Sequence, residues 1–483
     1  MVARGYTRRC QPLRLLAAEQ VEAIHRGTLH VLETAGARFD SKRALDLFRD
    51  AGCEVIEDEG RVRFPPGLVE ACLEKCPSSF VVNGRDPRQD VRFGGNTVYF
   101  YNSVGMRTVD LETWEPRTPT LEEQNDGVRI LDALENVHFV NSYTPYMEIE
   151  GVPHCMMLLQ SLASRLRHTL KPTLLGYLRD SEVFAIEMAK AAGIRPLGMV
   201  AASPPLTFYP DACQAAFRFV EAGFPIWVSG GAVAGGTAPA TVAGSTVSNN
   251  AELMAGIVLV QLIRPGTPVM VSDFVFPMNM RNGNPSFGAL GCALHGAVFC
   301  QMWREYGVPA VESLSGYPSS KKMDIQSGYE KASIALPSAL AGASLVSMHG
   351  GVHGELTYHP IQSVVDDDLA GLIGRLVESV EVSPDTLALD LITEVGPIPG
   401  TFIDRPHTRQ WWRKEQFVPK VADRLTYPEW IEQGKKSALE LARERVDEIL
   451  SGHHVPPLSE DQDEEIEHIL QTAREHYRDR GDM

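Results

Sequence analysis

The densest group of ligating and acid–base side chains in the chain is His349-Gly-Gly-Val-His353-Gly-Glu355, with His359 just beyond. Two histidines spaced H-x-x-x-H share a face only on a helix, and the glycines at 350, 351 and 354 favour a loop instead. In a loop, a histidine either contacts substrate or serves the structure, and no bound metal is expected. A second group is aromatic: Tyr99, Phe100, Tyr101, Tyr143, Phe208, Tyr209, Phe274, Phe276 and Tyr317 stand at or near the ends of β-type runs. Rings are first of all core material. Gathered around a mouth with few carboxylates, they would also suit a quaternary ammonium ion, which donates no N–H bond and is held by π faces. Lys321 and Lys322 could serve as a Schiff-base pair, against the reading of two solvated lysines. Gly230-Gly231 and Gly235-Gly236 lack the Lys-Ser/Thr of a phosphate loop and fit a close backbone approach to a ligand equally well. Cys72 with Cys76, and Cys292 with His295, each lack the second pair that a closed zinc site needs.

Such groups need a frame, and the sequence supplies a repeating one. From His138 onward, short β-rich runs alternate with helical stretches: 139–143, 172–176, 198–202, 225–229, 268–272, 310–314 and 345–348. Strands separated by crossover helices form parallel sheet. With an eighth run near Thr401 to Asp404, they would close into a TIM (β/α)8 barrel. The competing open, doubly wound sheet should carry a glycine-rich turn after its first strand, where this chain has Thr144-Pro-Tyr-Met147. The expected organisation is α/β: an N-terminal α+β cap over residues 1–135, a catalytic barrel over 136–408 and a C-terminal helical extension over 409–483. Capping boxes at Thr120 with Glu123 and at Ser459 with Gln462 mark helix starts on either side of the barrel.

The chain has 483 residues, 45 basic and 62 acidic, for a formal charge of −17. A surface so negative repels phosphate backbones and anionic lipid heads, so neither nucleic acid nor membrane is an expected partner. The uninterrupted apolar runs stop short of the ~18 residues of a membrane span. The first residues offer no secretory apolar region, so cytoplasmic residence is expected. The eight scattered cysteines read as core thiols.

Long stretches resemble one family. Ser229-Gly-Gly-Ala-Val-Ala-Gly-Gly-Thr-Ala-Pro-Ala-Thr-Val-Ala-Gly244, then Asn249-Asn-Ala-Glu252-Leu and Ile263-Arg-Pro-Gly-Thr-Pro268, closely resemble the trimethylamine methyltransferase family. So do Asp324-Ile-Gln-Ser-Gly-Tyr329-Glu-Lys, the segment from Thr108 to Thr118, and Gly400-Thr-Phe-Ile-Asp-Arg-Pro-His407. The resemblance covers nearly the whole chain. It implies a TIM barrel that moves a methyl group from an amine to the cobalt of a corrinoid (cobalamin) carried by a separate small protein. Archaeal trimethylamine members carry pyrrolysine after the sixth strand. Here Ser315 to Asp324 reads SGYPSSKKMD, so the chain is similar to the non-pyrrolysine branch, some members of which demethylate glycine betaine and other quaternary amines.

Leaving-group chemistry agrees. A quaternary nitrogen leaves as a neutral amine and needs no acid, whereas trimethylamine would have to leave as an amide anion or be activated first. The expected site then has Tyr99, Tyr143, Phe274 and Tyr317 around the cation. Glu312 balances its charge, and His349 with loop N–H groups holds the carboxylate of a betaine. Glu312 and His349 are the candidate catalytic residues. Gly231 and Gly236 mark the face where the corrinoid protein docks, and a homo-oligomer is expected. Two other classes compete: a lyase or metal-dependent hydrolase built on the His349 cluster, and a non-catalytic quaternary amine sensor.

Overall fold

The structure is a computed structural model that describes residues 3–483. Local signals set many of its element boundaries. The Leu121–Ala133 helix starts where Thr120 and Glu123 cap each other: the Glu123 N–H donates to Thr120 Oγ1 (3.2 Å), and the Thr120 N–H to Glu123 Oε2 (2.9 Å). The same reciprocal pair opens the Glu460–Asp479 helix at Ser459 and Gln462.

One large curled sheet organises the mixed α/β fold. Its order is Tyr6–Thr7, Thr97–Asn102, Leu345–His349, Ala310–Glu312, Val269–Asp273, Ile226–Ser229, Leu197–Ala201 and Leu174–Leu175. All pairs are parallel except the short first one. Single parallel bridges extend the pairing at both ends, Tyr101 to Phe139 and Val140 to Thr173. Six of the seven runs read as strands form strands of this sheet, displaced by a residue or two at their ends. The run at 139–143 contributes only its two bridging residues.

Side chains alternate across the sheet as strand geometry requires. Val98, Phe100, Ile226, Val228, Val269, Val271 and Val346 pack with the surrounding helices. Tyr99, Tyr101, Leu174, Leu197, Trp227, Met270, Val311 and Leu345 form a separate inner cluster. The hairpin of Ser79–Val82 and Val91–Gly94 adds Phe80, Val82, Val91 and Phe93 to that cluster, so part of the N-terminal segment plugs the sheet from inside.

Two expectations need correction. Residues 401–404 form an exposed bend and turn, not a strand; Ile403 is 83% exposed, which leaves no partner on which a strand could build. The strand that does complete the set is Thr97–Asn102, which lies in the large sheet beside Leu345–His349 rather than in a separate cap. The Val242–Ile263 helix is long and apolar enough to cross a bilayer. Here it lies in the core, packed by the Ala18–Thr34, Pro66–Glu74 and Pro210–Glu221 helices.

Candidate active site

The carboxyl ends of parallel strands face one side, and the loops leaving them are tied together. The Gly105 N–H donates to Pro145 O (3.1 Å) and the Met147 N–H returns to Gly105 O (2.9 Å). The Met106 N–H donates to Glu355 O (2.7 Å), and the Arg107 N–H to Leu356 O (3.0 Å). Three loops, which follow Thr97–Asn102, the bridging residues 139 and 140, and Leu345–His349, thus share one backbone ladder. Gly105 is required where they cross, because a Cβ there would collide with the backbone of Thr357 and Tyr358.

Under this ladder lies a cavity of about 150 Å³ lined by residues from strand ends and loops. Tyr101, Trp227, Phe274, Tyr317 and Tyr143 supply aromatic walls. Tyr101 meets Trp227 edge to face at 5.7 Å, and Phe274 meets Tyr317 in the same way at 5.6 Å. The floor is hydroxylic: Tyr101 Oη donates to Ser313 Oγ (3.0 Å), which lies 2.8 Å from Ser272 Oγ. The Val104 N–H donates to Tyr317 Oη (3.2 Å). Burial raises the phenol pKa values of Tyr101, Tyr143 and Tyr317, so all three are neutral at physiological pH. Glu355, on the loop at the mouth, is the one carboxylate in the lining, and burial raises its pKa too.

Of the eight residues expected from the sequence, Tyr143, Phe274 and Tyr317 line the cavity and the other five lie outside its lining. Tyr99 points inward but one pleat too low, against Phe93 and His138; Tyr101, two residues on, reaches the cavity in its place. His349 is fully buried and faces the helix side, with Nδ1 3.4 Å from Tyr101 O and Nε2 3.5 Å from Asp367 Oδ1. It cannot meet a substrate carboxylate there. Glu312 is fully buried behind the floor, where its Oε1 accepts the N–H groups of Leu314 (2.6 Å) and Ser315 (2.9 Å). It shapes the turn that carries Ser313 rather than balancing a charge in the cavity. Gly236 packs against Met278, away from the lining.

Gly231 stands at the edge of the site, with space for a Cβ 3.9 Å from Phe274. The His349 cluster itself disperses. His353 Nδ1 meets Ser319 O (3.1 Å), His359 Nδ1 caps the next helix by accepting the Ile361 N–H (3.2 Å), and Glu355 turns to the cavity. Trp227, Ser272 and Ser313 were within reach of sequence reasoning. They sit at alternate, inward positions of strands recognised from their apolar runs.

Comparison with known proteins places these features in context. The family described as Trimethylamine methyltransferase (MTTB) matches residues 1–477. The glycine betaine methyltransferase of Desulfitobacterium hafniense (strain Y51) is 30% identical over 478 residues, covering 95% of this chain and 97% of that one. The trimethylamine methyltransferase MttB2 of Methanosarcina mazei is 28% identical over 475 residues, covering 95% of each. Among solved structures, the Methanosarcina barkeri monomethylamine methyltransferase (MtmB) aligns with a TM-score of 0.49 at 13% identity, over 95% of this chain and 93% of that one.

Proposed function

From the premise that this chain belongs to the trimethylamine methyltransferase family, we propose that it moves a methyl group from a quaternary amine to the Co(I) of a corrinoid held by a separate protein. That it is a methyltransferase follows from the family. The observation that carries the finer reading is the cavity: aromatic walls, a hydroxyl floor and a single carboxylate, all at the strand ends. π faces hold an N-methyl cation without needing an N–H donor, at ~0.5 to 2 kcal/mol for each contact. The relative named for glycine betaine acts, by its name, on a compound of this kind.

In the transfer, the C–N electron pair stays on nitrogen, which leaves as a neutral tertiary amine, and the methyl carbon takes its new bond from the acceptor's electron pair. The positive charge is discharged as this happens. Rings and carboxylate that favour the cation therefore bind and orient the substrate rather than lower the barrier. The gain comes from alignment in a small cavity, an effect that can supply ~7 to 11 kcal/mol. No general acid is needed, which accords with Glu312 lying behind the floor.

We read the curled sheet as a TIM (β/α)8 barrel whose ring is completed through residues 139 and 140, with Thr97–Asn102 as its first strand. This moves the start of the catalytic unit ahead of residue 136. The corrinoid protein would dock over the mouth, near Gly231. The cysteines are free thiols, which suits a reducing cytoplasm. The test is a screen of N-methyl compounds with chemically reduced cob(I)alamin, followed by its spectral change to methylcobalamin. Methylation by quaternary amines is expected. Failure of every quaternary amine, with free or protein-bound corrinoid, would overturn the reading.

A further inference from the structure

The polar groups of the cavity are sorted by height and by sign. At the strand level lie the linked hydroxyls of Tyr101, Ser313 and Ser272. Above them, on the loop that follows the Leu345–His349 strand, stands Glu355. The remaining lining is aromatic, aliphatic, hydroxyl or amide, and no Arg, Lys or His contributes to it. Behind the floor are two more acids, each next in sequence to a floor serine: Asp273 and Glu312, both fully buried. His295 Nδ1 lies 3.0 Å from Asp273, so an imidazole partners that carboxylate from outside the cavity.

A carboxylate on the substrate would have no cation to meet at either height. At the mouth it would face Glu355, and at the floor it would find hydroxyl contacts alone. A buried charge left unpaired costs heavily. A neutral hydroxyl suits the floor, because it can accept a hydrogen bond from one hydroxyl of the chain and donate one to another. The methyl group must reach the mouth, so the ammonium sits high, among the rings and near Glu355, and the tail points down. The volume is comparable with that of a cavity that takes benzene, which limits the tail to a short one.

Building on the methyl-transfer reading above, we propose that the cavity selects a short quaternary ammonium monocation with a neutral hydroxyl tail, a choline-like compound, over a betaine zwitterion. Glu355 pairs with the ammonium, and the Tyr101, Ser313 and Ser272 hydroxyls take the tail. All four bind the substrate and do not touch the bond that breaks.

The experiment is titration calorimetry of the full chain with tetramethylammonium, choline and glycine betaine. For the wild type, choline is expected to bind at least 10-fold more tightly than glycine betaine. Glu355→Gln should weaken choline and tetramethylammonium about 10-fold or more while leaving glycine betaine nearly unchanged, so that the preference shrinks. Ser313→Ala should weaken choline severalfold and leave tetramethylammonium unaffected. Glycine betaine binding as tightly as choline to the wild type would overturn the proposal and leave the methyl-transfer reading standing. If none of the three binds, and none methylates cob(I)alamin, the reading beneath it falls as well. The wild-type comparison decides the matter even if a variant fails to fold.

Discussion

Glu312 shows how one proton can be read from geometry. The Ser315 hydroxyl contacts both Glu312 Oε2 and the Ser347 carbonyl, yet it has one proton to donate. A proton on Glu312 resolves the conflict: the carboxyl donates to Ser315, which donates to Ser347. Burial accordingly raises the Glu312 pKa from 4.5 to about 7. An acid whose folded pKa is raised carries no penalty below pH 4.5 and its full penalty above pH 7. Replacing it with Gln should therefore raise stability relative to wild type as pH climbs from 5 to 8, by up to roughly 3 kcal/mol at 1.36 kcal/mol per pKa unit. Denaturant midpoints of wild type and Glu312→Gln across that range check this. A difference independent of pH would mean that Glu312 is ionised in the fold. Residue types were legible in the sequence, which brought Tyr143, Phe274 and Tyr317 into the site, but facing was not. Tyr99 and Tyr101 differ only by one pleat, and Phe93 of the hairpin below covers the lower ring. His349 ends a strand whose register shifts between Ser347 and His349, and that irregularity turns the imidazole toward Asp367.

At the scale of elements, the mouth depends on the ladder that joins three loops. Gly105→Ala places a Cβ against the Thr357 and Tyr358 backbone, and relief requires the ladder to open, at a cost of about 1–3 kcal/mol. The amides of Met106, Arg107 and Tyr358, all bonded within it, should exchange with solvent at least 10-fold faster in the variant, and methyl transfer should fall with them. Unchanged exchange and activity would show that the ladder does not organise the site. Strands with crossover helices were legible because buried parallel strands are continuous apolar runs. Residues 97–101 read as a β-type run, but their place in the large sheet is hidden because the run stands among the irregular segments of the first hundred residues, with the Thr108–Val109 and Pro116–Arg117 hairpin between it and its helix. An eighth strand counted onward from His138 falls at residues 401–404, past the end of the sheet, because the completing strand lies ahead of His138. The loop ladder left no periodic trace in the sequence, since it depends on glycines and carbonyls brought together only by folding.

At the scale of the whole molecule, the protein is a methyltransferase whose curled sheet carries an aromatic cavity with one carboxylate in its lining. The −17 formal charge of the chain matches the sign of that cavity and favours the approach of cations over that of anions. The central claim is that a quaternary ammonium ion gives up its methyl here, and tetramethylammonium with ¹³C-labelled methyls tests it with no tail to complicate the result. In a single turnover with cob(I)alamin, the account predicts one labelled methyl on cobalt for each labelled trimethylamine released, and no methyl transfer when trimethylamine is supplied instead. Methylation of cobalt by trimethylamine, with tetramethylammonium left intact, would contradict it.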